Sequence, residues 1–216
     1  ELADEDWANA WKDHYRPFRL GRRIEIRPSW LASEGEIDPD DIVLLLDPGM
    51  AFGTGLHPTT QSCLMALEDI VRPGMNVLDA GTGSGILAIA AAKLGANEVD
   101  AFDTDMLAVR ATLDNAKLNE LDDSIRVWQG ELESVGDHSE REQWDVVVAN
   151  ILAPIIIQLL TEKGLLNCVA PGGRLILSGI VSLQAAEVEA ALGDAGGTVI
   201  RTIASGDWVT YIAGHG

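Results

Sequence analysis

Val77-Leu78-Asp79-Ala80-Gly81-Thr82-Gly83-Ser84-Gly85 decides the fold. An apolar strand runs into a glycine turn, and Ile86 to Leu94 continues as a helical stretch. Glycines at such a turn let the backbone approach a ligand closely, and the helix that follows presents amide donors to it. The spacing is G-x-G-x-G. The third glycine of the dinucleotide fingerprint G-x-G-x-x-G would fall on Ile86, which speaks against a nicotinamide-dependent oxidoreductase on the same architecture.

Outward from this turn the pattern is regular. Strands are expected at Asn76 to Leu78, Glu98 to Phe102, Ile125 to Trp128, Asp145 to Ala149 and Arg174 to Ser178. Helical stretches lie near Ile86 to Leu94, Met106 to Asn119 and Ile155 to Asn167, with an earlier helix starting near Pro58 and running towards Ile70. Strands alternating with helices imply right-handed βαβ units and a parallel sheet covered on both faces. After a helix near Leu183 to Leu192, the runs Thr198 to Ala204 and Trp208 to Ala213 are separated only by Ser205-Gly206-Asp207. That connection is too short to cross a sheet face, so these two strands form an antiparallel hairpin. The expected fold is α/β and Rossmann-like, a mostly parallel seven-stranded sheet with a C-terminal antiparallel hairpin. Upstream, Asp4 to Tyr15 with Trp7 and Trp11 reads as a short amphipathic helix, Arg23 to Arg27 alternates like a strand, and Ile42 to Leu46 reads as a buried strand.

Length and composition narrow the class. The 216 residues are 47% hydrophobic and 23% charged, enough for one core without staples. Against 15 Lys and Arg stand 34 Asp and Glu, a net charge of −19 that opposes direct nucleic-acid binding and suits a cationic partner. Residues 1–30 are balanced, with six basic and six acidic side chains, so the whole excess lies in residues 31–216. Arg16, Arg19, Arg22, Arg23 and Arg27 read as a salt-bridged or solvated face rather than an RNA contact. Cys63 and Cys168 lie far apart with no ligand-spaced partner, so neither a disulfide framework nor a metal site is expected. No apolar run approaches the ~20 residues of a membrane span, and the first residues lack a signal-peptide pattern, so a cytoplasmic location is expected.

Four places carry candidate chemistry. Asp103, at the end of the second strand and about 20 residues beyond the glycine turn, is positioned to accept both hydroxyls of a ribose. Asp105 reads as the cap of the next helix. Asn150 ends the fourth strand and either faces the same crevice as Gly81 and Asp103 or caps the helix before Pro154. The run from Asp47 to Thr60, with three glycines, His57 and paired threonines, reads as a functional loop closing over the ligand, with His57 orienting or packing rather than acting as a general base.

Together these residues resemble a known family. G-x-G-x-G with Asp79 before it and Asp103 after it is similar to class I methyltransferases that use S-adenosylmethionine. The strings Asp47 to Thr60, Asp79 to Ala90 and Val148-Ala149-Asn150-Ile151-Leu152, with the Trp7, Trp11, Arg22-Arg23 and Pro28-Ser29-Trp30 lead-in, resemble the PrmA-type methyltransferases of ribosomal large-subunit protein eleven. The resemblance implies a cytoplasmic S-adenosylmethionine-dependent protein N-methyltransferase that trimethylates lysine ε-amines and the N-terminal α-amine of that protein, with a monomer expected. It implies cofactor contacts at Thr60, Gly81, Asp103 and Asn150, to which Phe52, Gly53, Thr54, His57, Asp79 and Gly83 are added from the glycine turn and the loop. Asn150 is expected to orient the amine, with no dedicated base. Residues 1–30 correspond to the linker helix and strand that follow a substrate-gripping domain in the family, which is expected to be missing here, and residues 31–216 to the methyltransferase domain. The alternatives are an N-methyltransferase of another substrate and a cofactor-binding module without activity.

Overall fold

The computed structural model describes residues 16–31, 38, 40–47, 53 and 55–216. The helix expected from Asp4 to Tyr15 lies outside the described residues, as do Phe52 and Thr54.

A small sheet comes first. β1 (Phe18–Leu20) and β2 (Ile24–Pro28) pair as an antiparallel hairpin, and β2 pairs in parallel with β3 (Ile42–Leu46), so this sheet straddles residue 30. Arg23 to Arg27 is strand-like as expected, but β2 is buried along its whole length rather than on alternate residues. Burial of charge is tolerated because Glu25 and Arg27, two apart and on one face, form an ion pair at 2.6 Å, and because Ile24 and Ile26 supply the apolar face. Neighbouring arginines are paired too: Arg19 on Asp41, and Arg22 on Asp69 at 2.8 Å.

The main sheet has seven strands. They are β4 (Asn76–Ala80), β5 (Glu98–Asp103), β6 (Ile125–Gln129), β7 (Trp144–Asn150), β8 (Val169–Val181), β9 (Gly197–Ser205) and β10 (Trp208–His215), in the order β6-β5-β4-β7-β8-β10-β9. β4 to β8 run parallel, and β10 inserts antiparallel between β8 and β9. The expected hairpin is present. Because its second strand takes the inner place, Trp208 opens β10 at the edge where β4, β5 and β7 end.

Among the described residues six α-helices follow the strand rhythm: α1 (Pro58–Ile70), α2 (Ile86–Lys93), α3 (Met106–Leu118), the short α4 (Val135–His138), α5 (Ala153–Thr161) and α6 (Ala185–Asp194). Pro58 occupies the first turn of α1, and Asp105 caps α3 by accepting from the Leu107 amide at 2.8 Å. α5 stops at Thr161 rather than running to Asn167. Gly164 takes a left-handed conformation (φ 72°), and Leu165–Cys168 tightens into a 3₁₀ turn.

Alternate strand residues divide two cores. Val77, Val99, Val146 and Val148 face α1, α2 and the small sheet, while Leu78, Phe102, Val147 and Ala149 face α5 and α6. α2 is apolar on nearly all sides, as a helix enclosed by the main sheet, α1 and β3 must be. The amides of Asn115 and Asn119 on α3 satisfy the free edge of β3: Asn119 bonds both backbone groups of Leu45, and Asn115 accepts from Asp47 N at 2.9 Å while donating to Ser84 O at 2.9 Å. One pair of side chains thus ties the lead-in of the Asp47–Thr60 loop to the glycine turn. No helix among the described residues is long and apolar enough to cross a membrane.

Candidate active site

The chain leaves β4 towards β5 and β6 on one side, and returns to β7 and β8 on the other. The strand order therefore reverses between β4 and β7, and a crevice opens beyond their carboxyl ends. Three expected site residues meet there. Gly81 follows β4, Asp103 ends β5 and Asn150 ends β7, and with Gly83 and His57 they line a cleft of about 440 Å³. A second cavity of about 270 Å³ adjoins it, sharing Gly81, Asp103, Ile151 and Ile155 and extending over Phe102, Thr104 and Leu132.

The glycine turn is held from below. Gly81, Gly83 and Gly85 all have positive φ, and a Cβ on Gly85 would stand 3.1 Å from the Cα of Thr112 on α3. Only glycine satisfies both the backbone angle and that close approach. Asp79 lies beneath the turn, fully buried, and its Oδ2 accepts from Thr82 Oγ1 at 2.8 Å and from Ala88 N in the first turn of α2 at 3.2 Å. Its Oδ1 has no hydrogen-bond partner. Burial pushes this carboxyl up to about 7; the bonds from Thr82 and Ala88 pull it down, and the nearby Asp103 charge pushes it up.

Asp103 is half-exposed. Its two oxygens accept from Gly83 N and Asp105 N, each at 3.0 Å, which turns the carboxylate across the mouth of the glycine turn. Asn150 is not a helix cap: that position belongs to Leu152, which supplies no side-chain bond. Instead Asn150 Nδ2 donates to Thr60 Oγ1 at 3.3 Å, and its Oδ1 makes no hydrogen bond among the described residues. Thr60 is buried and stands behind Asn150 rather than on the cleft wall. His57 caps α1, its Nδ1 accepting from Thr59 N at 3.4 Å, and meets Trp208 edge-on at 4.8 Å between ring centroids. Gly53 reaches the turn through its carbonyl, which accepts from Ser84 Oγ at 2.7 Å.

Sequence reasoning missed Thr59, Ile151, Ile155, Leu132 and Trp208 as lining residues. Leu132 had a signal: Gly130-Glu131 follows directly on an expected strand end, the same position relative to the sheet as Gly81 and Asp103. Trp208 had none.

The donor set suits S-adenosylmethionine. Among the described residues Asp103 is the one carboxylate lining the larger cleft and no Lys or Arg lines it, so a cationic sulfonium meets no like charge there while a dinucleotide pyrophosphate finds no cation. Apolar walls at Phe102, Leu132 and Ile155, beside Glu131, Glu133 and Lys163, can take a nucleobase. Among the described residues no group of three or more metal-ligating side chains is present.

The chain matches the family model described as ribosomal protein L11 methyltransferase (PrmA) over residues 1–215. The ribosomal protein L11 methyltransferase of Chloroflexus aurantiacus is 46% identical, covering 98% of this chain and 69% of the relative, and that of Desulfitobacterium hafniense is 47% identical, covering 96% and 64%. The chain thus spans about two thirds of these relatives' length. Among solved structures, a ribosomal protein L11 methylase from Lactobacillus delbrueckii subsp. bulgaricus superposes with a TM-score of 0.83 at 34% identity, covering 93% of this chain and 99% of that one. A family model matched almost end to end and relatives near half identity agree with the crevice described above, and the chain belongs to the PrmA family of ribosomal protein L11 methyltransferases, which use S-adenosylmethionine as methyl donor.

Proposed function

We propose that this chain transfers methyl groups from S-adenosylmethionine to lysine ε-amines and the N-terminal α-amine of ribosomal protein L11, in the cytoplasm and as a monomer. Residues 1–30 serve as the linker and 31–216 as the methyltransferase domain. The observation that carries this reading is the meeting of Gly81, Asp103 and Asn150 at one cleft where, among the described residues, Asp103 is the one carboxylate.

S-adenosylmethionine supplies an electrophilic methyl group on a sulfonium. Asp103 would accept hydrogen bonds from the ribose hydroxyls, and Phe102, Leu132 and Ile155 would wall the base. Gly81 and Gly83 allow close approach of the backbone, and Asp79 keeps the turn and α2 in register from beneath. Gly53 and His57, with Phe52 and Thr54, complete the set of proposed cofactor contacts. An amine with an ordinary pKa of ~10.4 arrives protonated; desolvation between Ile151 and Leu152 favours its neutral form, and its proton leaves to water. Asn150, held by Thr60 through Nδ2, presents Oδ1 to an N–H of the amine and so points the lone pair at the methyl. Position and exclusion of water do the catalysis, without a general base.

Labelled S-adenosylmethionine incubated with this chain and purified L11 is the test. Label on L11 that disappears when the acceptor lysines are changed to arginine is the expected result; no label on L11 in the presence of bound cofactor overturns the assignment. Asn150→Ala is expected to lower kcat on the order of 100-fold, the scale of a misplaced reactant, while cofactor affinity stays within a few-fold. A wild-type rate would remove Asn150 from the mechanism.

A further inference from the structure

The part of the cleft lined by Trp208 and Leu152 has no role in the cofactor contacts proposed above. Trp208 is fixed there by the sheet: it pairs with Val181 on β8 and Ser205 on β9, and it opens the one strand that runs against its neighbours. His57 buttresses it edge-on and is itself fixed as the cap of α1. Leu152, on the same cleft, is 68% exposed, so this part of the wall is open to solvent. The floor is backbone: Gly179 has φ +84°, and a Cβ there would stand 2.2 Å from Ile151 O, so β8 lies directly against the tail of β7.

We propose that this half of the cleft is the acceptor-amine channel, and that Trp208 determines how many methyl groups one nitrogen receives. The inference rests on the amine-transfer reading above. In each transfer the amine lone pair forms the N–C bond as the S–C bond breaks with its electron pair moving to sulfur, leaving a neutral thioether, S-adenosylhomocysteine. The methylammonium then loses its proton to water before it can accept a second methyl from a fresh cofactor. Every methyl added increases apolar surface and keeps the charge soft and poorly hydrated, the type of cation that an indole attracts most strongly. Trp208 therefore holds a partly methylated nitrogen better than an unmodified one, and favours its return to the reaction over its escape.

Two probes test this on the chain with S-adenosylhomocysteine present: N-acetyl-lysine amide and its Nε,Nε-dimethyl form, titrated by NMR. Wild type is expected to bind the dimethyl probe several-fold more tightly than the unmethylated one. Trp208→Leu, apolar without a π-face, is expected to abolish that preference, and Trp208→Phe to keep most of it, which separates loss of the ring from damage to the fold. On L11, mass spectrometry should show the products of Trp208→Leu shifted towards one methyl per amine. If Trp208→Leu keeps both the probe preference and the product distribution, the channel is wrong and the L11 assignment stands. If the probes rank as stated but L11 takes no label, the channel stands and the substrate is wrong.

Discussion

Asp79 and Asp100 are both carboxylates without solvent exposure, on adjacent strands β4 and β5 and one register step apart, since Leu78 is the partner of Asp100 and Ala101 that of Asp79. They point into opposite cores. Asp100 is fully satisfied: Oδ1 accepts from Arg126 at 2.9 Å, and Oδ2 from Ser139 Oγ at 2.9 Å and Trp144 Nε1 at 3.0 Å. Asp79 has two donors on one oxygen, none on the other, and no cation in contact. The first ties β5, β6 and β7 together on the α5 face; the second lies under the glycine turn and holds Thr82 and Ala88. Equal burial thus leaves one carboxylate fully bonded and the other with a bare oxygen, and the partners decide which.

Removing the satisfied carboxylate has the largest expected effect. Asp100→Ala leaves the buried Trp144 N–H and Ser139 hydroxyl without an acceptor and Arg126 without its counter-ion, and is expected to cost about 3–5 kcal/mol in urea unfolding. A loss under about 1 kcal/mol would mean that Asp100 does not pin the sheet.

Asp79 should show itself through pH. Its carboxyl is raised to about 7 in the fold and lies near 3.8 otherwise, so the native state binds more protons than the unfolded chain between those values. The contribution is fully present below about pH 4 and is lost as pH rises through about 7. Asp79→Asn removes this dependence. Its stability relative to wild type is expected to improve by about 2–4 kcal/mol between pH 4 and pH 8, read from urea midpoints. A difference that stays flat across that window would place Asp79 among ordinary carboxylates.

The smallest expected effect belongs to the carboxylate that faces the cleft. Asp103→Asn keeps an acceptor for Gly83 N, so unfolding free energy should change by under about 1 kcal/mol, while S-adenosylmethionine affinity measured by calorimetry falls about 10–50-fold with the loss of charged acceptors for the ribose. Equal losses of stability and affinity would make Asp103 a structural residue like Asp100.

Much of this was legible in the sequence where the controlling contacts are local. The cap at Asp105, the start of α1 at Pro58, the seven strands and the closing hairpin depend on neighbours within a few residues, and each was expected where it stands. Gly164 is an equally local signal, and its left-handed turn ends the helical stretch short of Asn167. Other features depend on distant partners. Asn150 had two equal readings until Thr60, 90 positions away in the chain, was found bonded to its amide. Arg27 reads from the sequence as part of a salt-bridged or solvated face; it is salt-bridged, to Glu25, and both side chains are buried.

The amino-acid order by itself determined the parallel α/β sheet, the glycine turn, Asp103 at its strand end and the family resemblance, because periodicity, turn chemistry and short motifs are properties of contiguous residues. Only the tertiary structure decided that β10 lies inside β9, bringing Trp208 to the crevice, and that Asp79 is left with a bare oxygen while Asp100 is not. Strand order and hydrogen-bond satisfaction are set by which surfaces meet once the chain has closed, and those surfaces lie far apart along it.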